Sequence, residues 1–202
     1  MIETLLALKG GPGKTTTTAY LSAARYLDGR LVAAVDGDDQ GSLLSWAEKA
    51  EFPWLTIAMP TKTIHLQVSK LMTGRDDLVI DTPPTAGTLV QKSAVRAAVE
   101  SNGTVIIPVQ PTLMDYDQFG ETVRLVEETA GLDQVRVVVL LTRVVSGTRT
   151  RRQIRDAITG QGIRVLNSEV RQLQSVAIAH GAPITDLGDY ADVYAELKEL
   201  SA

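Results

Sequence analysis

The 202-residue chain contains no cysteine, which excludes disulfides, thiolate metal sites and cysteine-ligated iron–sulfur clusters. No stretch of 18 or more apolar residues occurs, so no membrane-spanning helix is expected. The first residues lack a charged n-region, a long apolar h-region and a small-residue cleavage site. No signal peptide is therefore expected, and a cytoplasmic location is the default. Aromatic residues are scarce, at 4%, and no repeat, low-complexity tract or linker interrupts the chain. One domain over residues 1–202, with a sizeable core, is the expectation.

Charge is nearly balanced overall, at −4, but unevenly placed. Residues 136–171 hold eight arginines against Asp156 and Glu169, so the rest of the chain is distinctly acidic. A basic segment in an acidic protein raises the question of nucleic acid.

What is present is an alternation. Short runs rich in Val, Ile and Leu fall at 2–8, 31–36, 54–58, 77–81, 104–109, 135–142 and 163–166. Near-continuous apolar runs are those of parallel strands covered on both faces. Helix-period stretches lie near 14–28, 42–51, 64–73, 87–101, 116–131 and 149–160, with two more near 171–180 and 189–200. In the fifth, Tyr116, Phe119, Val123, Val126 and Ala130 recur at helical spacing and read as a core stripe. The alternation predicts an α/β fold: a doubly wound, mostly parallel sheet with helices on both faces. Ligands of such sheets sit beyond the carboxyl ends of the strands.

Three motifs stand at those ends. The first run leads into Lys9-Gly10-Gly11-Pro12-Gly13-Lys14-Thr15-Thr16 and then a helix. Glycines let successive backbone N–H groups and the helix N-terminus face phosphate. Lys14 is placed to reach the β- and γ-phosphates of ATP, and the Thr15 hydroxyl to ligate Mg²⁺. The second run ends in Asp36-Gly37-Asp38-Asp39-Gln40-Gly41, carboxylates suited to Mg²⁺ or an attacking water. The fourth, Leu78-Val79-Ile80-Asp81, has the Walker B form, and Thr82-Pro83-Pro84 then breaks from the sheet.

In this order the motifs resemble those of the deviant-Walker ATPases of the ParA/MinD superfamily, P-loop NTPases. With Met1 one short strand before the loop, the small ParA (ParF-like) form without an N-terminal DNA-binding domain fits best. The segment Ile106–Pro111 resembles the family's proline-containing stretch. Leu141-Thr142-Arg143 resembles the strand end near the adenine, and Gly181–Ile184 the late loop beside it. The resemblance implies that Lys9 is the signature lysine, reaching a partner's ATP across a homodimer. It implies that Gly10, Gly11, Gly13, Lys14, Thr15, Thr16, Thr142, Arg143 and Pro183 contact nucleotide. Thr15, Asp36 and Asp81 would serve the metal, and Asp38, with Lys9 and Lys14, would be catalytic. Proline is usual where Asp39 stands, which makes this loop less rigid and adds a charge.

Arg149, Arg151, Arg152 and Arg155 cover one arc of a predicted helix, opposite Ile154, Ala157 and Ile158. Arginines without aromatic interleaving suit phosphate-backbone contact more than base reading. The resemblance implies nonspecific DNA binding by the ATP dimer, nucleoid association and a ParB-like centromere-binding adaptor that stimulates slow hydrolysis. The leading expectation is a plasmid or chromosome partition ATPase, and the alternative is the same machine positioning another cargo, such as a microcompartment. A membrane-associated regulator of the MinD kind needs a basic amphipathic end, whereas this chain ends in the acidic AELKELSA. Metabolic relatives either need cysteines or usually lack the Lys9 signature.

Overall fold

The structure is a computed structural model that describes residues 1–85 and 87–200. Seven strands form one sheet, and every registered pair is parallel: β1 (Ile2–Leu5), β2 (Val32–Asp36), β3 (Leu55–Ala58), β4 (Asp77–Asp81), β5 (Thr104–Val109), β6 (Arg136–Leu141) and β7 (Arg164–Val165). Their order is β3-β2-β4-β1-β5-β6-β7, so β4 returns to lie between β2 and β1, and β5 to β7 then extend the sheet on the other side of β1. Between the strands lie α1 (Lys14–Leu27), α2 (Ser42–Lys49), α3 (Ile64–Met72), α4 (Leu89–Glu100), α5 (Leu113–Ala130) and α6 (Arg149–Thr159). Two further helices follow, α7 (Gln174–Ala177) and α8 (Tyr190–Glu199).

All residues of β1, β2, β4 and β5 are buried, which is why these strands carry near-continuous apolar runs. Side-chain alternation then sorts the faces. Val32 and Ala34 of β2 point to the core shared with α1, α2 and α8, while Ala33 and Val35 point to the core shared with α3 and α4. A third cluster joins α4, α5 and α6 to β5 and β6, and the stripe from Tyr116 to Ala130 packs into it as expected.

The differences from expectation are local. The run 2–8 yields a strand only to Leu5, because the chain past Leu6 leaves the sheet to form the phosphate loop. Helix α5 starts at Leu113 rather than near 116, since the Thr112 side chain accepts the Asp115 amide and caps an earlier first turn. The stretch 171–180 is mostly loop around the four residues of α7.

Register is what assembles the site. Asp36 lies directly beside Asp81 across β2 and β4, and Leu5 lies beside Asp81 across β1 and β4. Val109 pairs with Leu141 across β5 and β6. The loops after five strands therefore leave the sheet together at its carboxyl edge.

Candidate active site

Gly11 and Gly13 hold φ of 104° and 92°, backbone that L side chains rarely adopt, and Gly13 occupies the position just before α1. Neither residue is crowded, so the left-handed backbone, not lack of space, demands glycine there. The Lys14 ammonium crosses the loop to donate to the Lys9 carbonyl at 2.9 Å. Burial holds this ammonium below the usual lysine range, with Asp81 and Asp38 opposing the shift. Two strand ends brace the loop from outside: Thr142 Oγ1 donates to the Pro12 carbonyl at 2.8 Å, and Gln110 Nε2 donates to the Gly11 carbonyl at 2.9 Å. Gln110 had no assigned role in the sequence, although it stands in the proline-containing stretch after β5.

The acids separate by environment. Asp81 is buried, and its Oδ2 accepts from Thr15 Oγ1 at 2.6 Å. Its Oδ1 is buried with no hydrogen-bond partner among the described residues. Burial pushes the carboxyl up to about 7, against the Thr15 hydrogen bond and the Lys14 charge. A buried carboxylate oxygen without a donor, beside a threonine hydroxyl, fits a hard divalent cation. No cluster of three or more His, Cys, Asp or Glu residues suited to a metal occurs among the described residues. Such a sparse donor set suits Mg²⁺, which keeps several waters and takes substrate phosphate oxygens.

Asp36, expected at the metal, is engaged with backbone amides in this structure. It is buried, and its two oxygens accept the Asp38 amide at 3.1 Å and the Leu44 amide at 2.9 Å. Gly41 supplies no side chain to cap α2, so Asp36 caps it from the strand end. Burial raises its carboxyl, and the two amides lower it. Asp38 is half-buried and accepts the Gln40 amide at 3.1 Å, whereas Asp39 is exposed. Between the acids, Gly37 donates to the Asp81 carbonyl at 3.0 Å, and a Cβ there would stand 2.7 Å from that oxygen. This close approach was not legible in the sequence.

Beside the loop opens a cavity of about 250 Å³. Thr16, Thr142 and Arg143, expected to contact nucleotide, line it, and Trp46, His180 and Tyr190 add an aromatic wall that no motif announced. Tyr190 stacks on Tyr20 at 4.6 Å, and its hydroxyl lies 3.1 Å from Thr17 Oγ1. Arg143 holds a positive φ of 49° at the cavity edge. Pro183 does not line this cavity; it lies in the neighbouring groove with Tyr20 and Ile184.

Lys9 points away from its own loop. Its ammonium pairs with Asp115 Oδ1 at 3.0 Å and touches Met114 Sδ at 3.5 Å in the first turn of α5. Leu113 and Met114 there are exposed, as is Leu89 at the start of α4. On α6 the four arginines do not act alike. Arg151 Nε and Arg155 Nη2 both pair with Glu169 at 2.6 Å, while Arg149 and Arg152 are exposed and make no ion pair among the described residues. Ile154 and Ile158 are buried as expected, but Ala157 is exposed.

Comparison with known proteins agrees with this geometry. The family model described as the CobQ/CobB/MinD/ParA nucleotide binding domain matches residues 4–184. Two relatives are each named Maintenance of carboxysome distribution protein A. That of Gloeobacter kilaueensis is 34% identical over 137 residues, 67% of this chain, and the match spans only 60% of that relative's length. That of Halothiobacillus neapolitanus is 27% identical over 188 residues, 90% of this chain and 85% of the relative. Among solved structures, cobyrinic acid a,c-diamide synthase from Mycobacterium smegmatis with bound ATP analog and magnesium superposes with a TM-score of 0.74. It is 20% identical, with 99% of this chain and 93% of that chain covered, a likeness of fold.

Proposed function

The chain belongs to the CobQ/CobB/MinD/ParA nucleotide-binding family; from that premise we propose that it is a P-loop ATPase, taking ATP with Mg²⁺, that positions a protein microcompartment over DNA. The observation that carries the choice of cargo is the match along 90% of the chain to a protein named for carboxysome distribution. Segregation of plasmid or chromosome, favoured by the motif resemblance alone, is the second reading. It uses the same cycle with different cargo.

In this reading the Gly11–Thr15 backbone and Lys14 hold the triphosphate, and Thr15 with Asp81 holds Mg²⁺. The cation would neutralise charge developing on the phosphate oxygens. Asp38, kept in place by the Gly37–Asp81 backbone contact, orients the attacking water. Asp36 acts one step removed, by fixing the loop that carries Asp38.

Lys9 serves a second copy of the chain. A cation supplied in trans stabilises transition-state charge and makes ATP binding favour dimerisation. Its present partner, Asp115, is part of its own chain. Lys9 is about one-third exposed, so solvent weakens the pair to no more than about 1 kcal/mol, and exchange for a partner's phosphates is readily reversible. Exposed Leu113 and Met114, in the same first turn of α5 as Asp115, give that face apolar surface to cover.

The test has two arms. Lys9→Ala retains ATP binding by calorimetry but loses ATP-dependent dimerisation by size-exclusion chromatography; wild-type dimer formation and turnover would remove the trans-lysine role. In the native host, gene deletion clusters the compartments while plasmid and chromosome inheritance stay normal. DNA loss with normally spaced compartments would select the partition reading instead.

A further inference from the structure

Glu169 stands at a junction. Its carboxylate takes Arg155 on one oxygen and Arg151 on the other, each at 2.6 Å, and is 10% exposed. The next two residues turn the other way: Val170 and Arg171 line the cavity beside the phosphate loop. This segment is tied to the end of β6 by backbone bonds, Val170 N to Leu141 O at 2.9 Å and Val144 N to Val170 O at 3.0 Å. Three consecutive residues thus touch both the arginine helix and the nucleotide cavity.

The carboxylate offsets the charge of both guanidinium groups and accepts a hydrogen bond from Arg155 Nη2. Arg151 Nε meets it as an ion pair without a hydrogen bond, so the carboxylate competes with a nucleic-acid phosphate for both cations. With Glu169 engaged, α6 offers Arg149 and Arg152 to a polyanion and withholds Arg151 and Arg155. We propose that Glu169 is an internal competitor of DNA phosphate, which releases Arg151 and Arg155 when the adjoining cavity is filled. Nucleotide occupancy then changes how many cations α6 presents, not merely whether two copies associate. The proposal rests on the reading above that the chain works on DNA, and its test separates the two.

Binding to a random-sequence duplex is measured against salt, in nucleotide-free protein and with a non-hydrolysable ATP analogue. Each phosphate contact contributes about 0.9 to the slope of log K on log salt, so two contribute about 1.8 per protomer. Between 50 and 200 mM salt that is about a tenfold difference in affinity loss. Arg149→Gln with Arg152→Gln lowers the slope in both states. Arg151→Gln with Arg155→Gln leaves it unchanged without nucleotide and lowers it with the analogue. Glu169→Gln raises the nucleotide-free slope by up to the contribution of two contacts.

If the Arg149/Arg152 pair has no effect in either state, α6 does not meet DNA and the functional reading fails at that surface. If that pair matters but the Arg151/Arg155 pair acts equally in both states, or in neither, the Glu169 clamp is overturned. Both outcomes are read from surface arginine variants and do not depend on the folding of Glu169→Gln.

Discussion

Gly37→Ala isolates the contact between the two acidic strand ends. Gly37 is not in the left-handed region, so the added methyl costs nothing in backbone torsion; its cost is contact. The new Cβ would lie 2.7 Å from the Asp81 carbonyl oxygen, with Val90 Cγ1 at 3.4 Å and Ile64 Cδ1 at 3.6 Å closing the other sides. Ordinary contact requires the loop and β4 to part by about 0.7 Å, an overpacking strain of about 1–3 kcal/mol. The same movement stretches the 3.0 Å Gly37 N–H bond to that carbonyl, a loss of about 1 kcal/mol. The sum, about 2–4 kcal/mol, lowers Tm by about 5–15 °C for a chain of this size. Because Asp38 is the next residue, kcat falls about tenfold or more while ATP affinity changes little. Calorimetric unfolding and steady-state ATPase assays read the two effects. An alanine variant with wild-type Tm and turnover would refute the claim that this approach sets the position of Asp38.

Two other perturbations address the loop and the buried acid. Thr142→Val removes the hydroxyl that holds the Pro12 carbonyl at 2.8 Å, and a buried unsatisfied carbonyl costs about 1–3 kcal/mol. ATP affinity by titration calorimetry falls several-fold with the fold retained; unchanged affinity and stability would show the brace to be idle. For Asp81 the carboxyl is pushed up to about 7 from an ordinary 3.8, so the native state holds a proton that the unfolded state gives up. The contribution of Asp81 to metal-free stability is therefore full below about pH 4, is lost as pH rises towards 7 and is level above, a change of up to about 4 kcal/mol. Asp81→Asn keeps an acceptor for Thr15 and flattens this dependence, gaining stability relative to wild type at pH 8 but not at pH 4, and loses ATPase activity. Parallel urea-unfolding profiles for the two proteins across pH 4–8 would contradict it.

The sheet was legible because each central strand is buried on both sides and must be apolar throughout, while each helix carries a periodic stripe. The phosphate loop was legible because φ near 100° at Gly11 and Gly13 admits few residues but glycine, and phosphate demands Lys14 and Thr15 at fixed places. Strand ends marked Asp36, Asp38 and Asp81 as one group. Roles within that group were decided by contacts between residues far apart in the chain. Asp36 became a cap for α2 because Gly41 offers that helix no side chain. Asp81 kept a bare oxygen because burial and register left it no hydrogen-bond partner among the described residues. The aromatic wall of the cavity joins Trp46 to Tyr190, and no local pattern ties residues from two such distant helices. The arginine helix shows the same division. Periodicity alone put four arginines on one arc, but only the fold could bring Glu169 beneath two of them, because charge pairing depends on distances that sequence spacing does not fix.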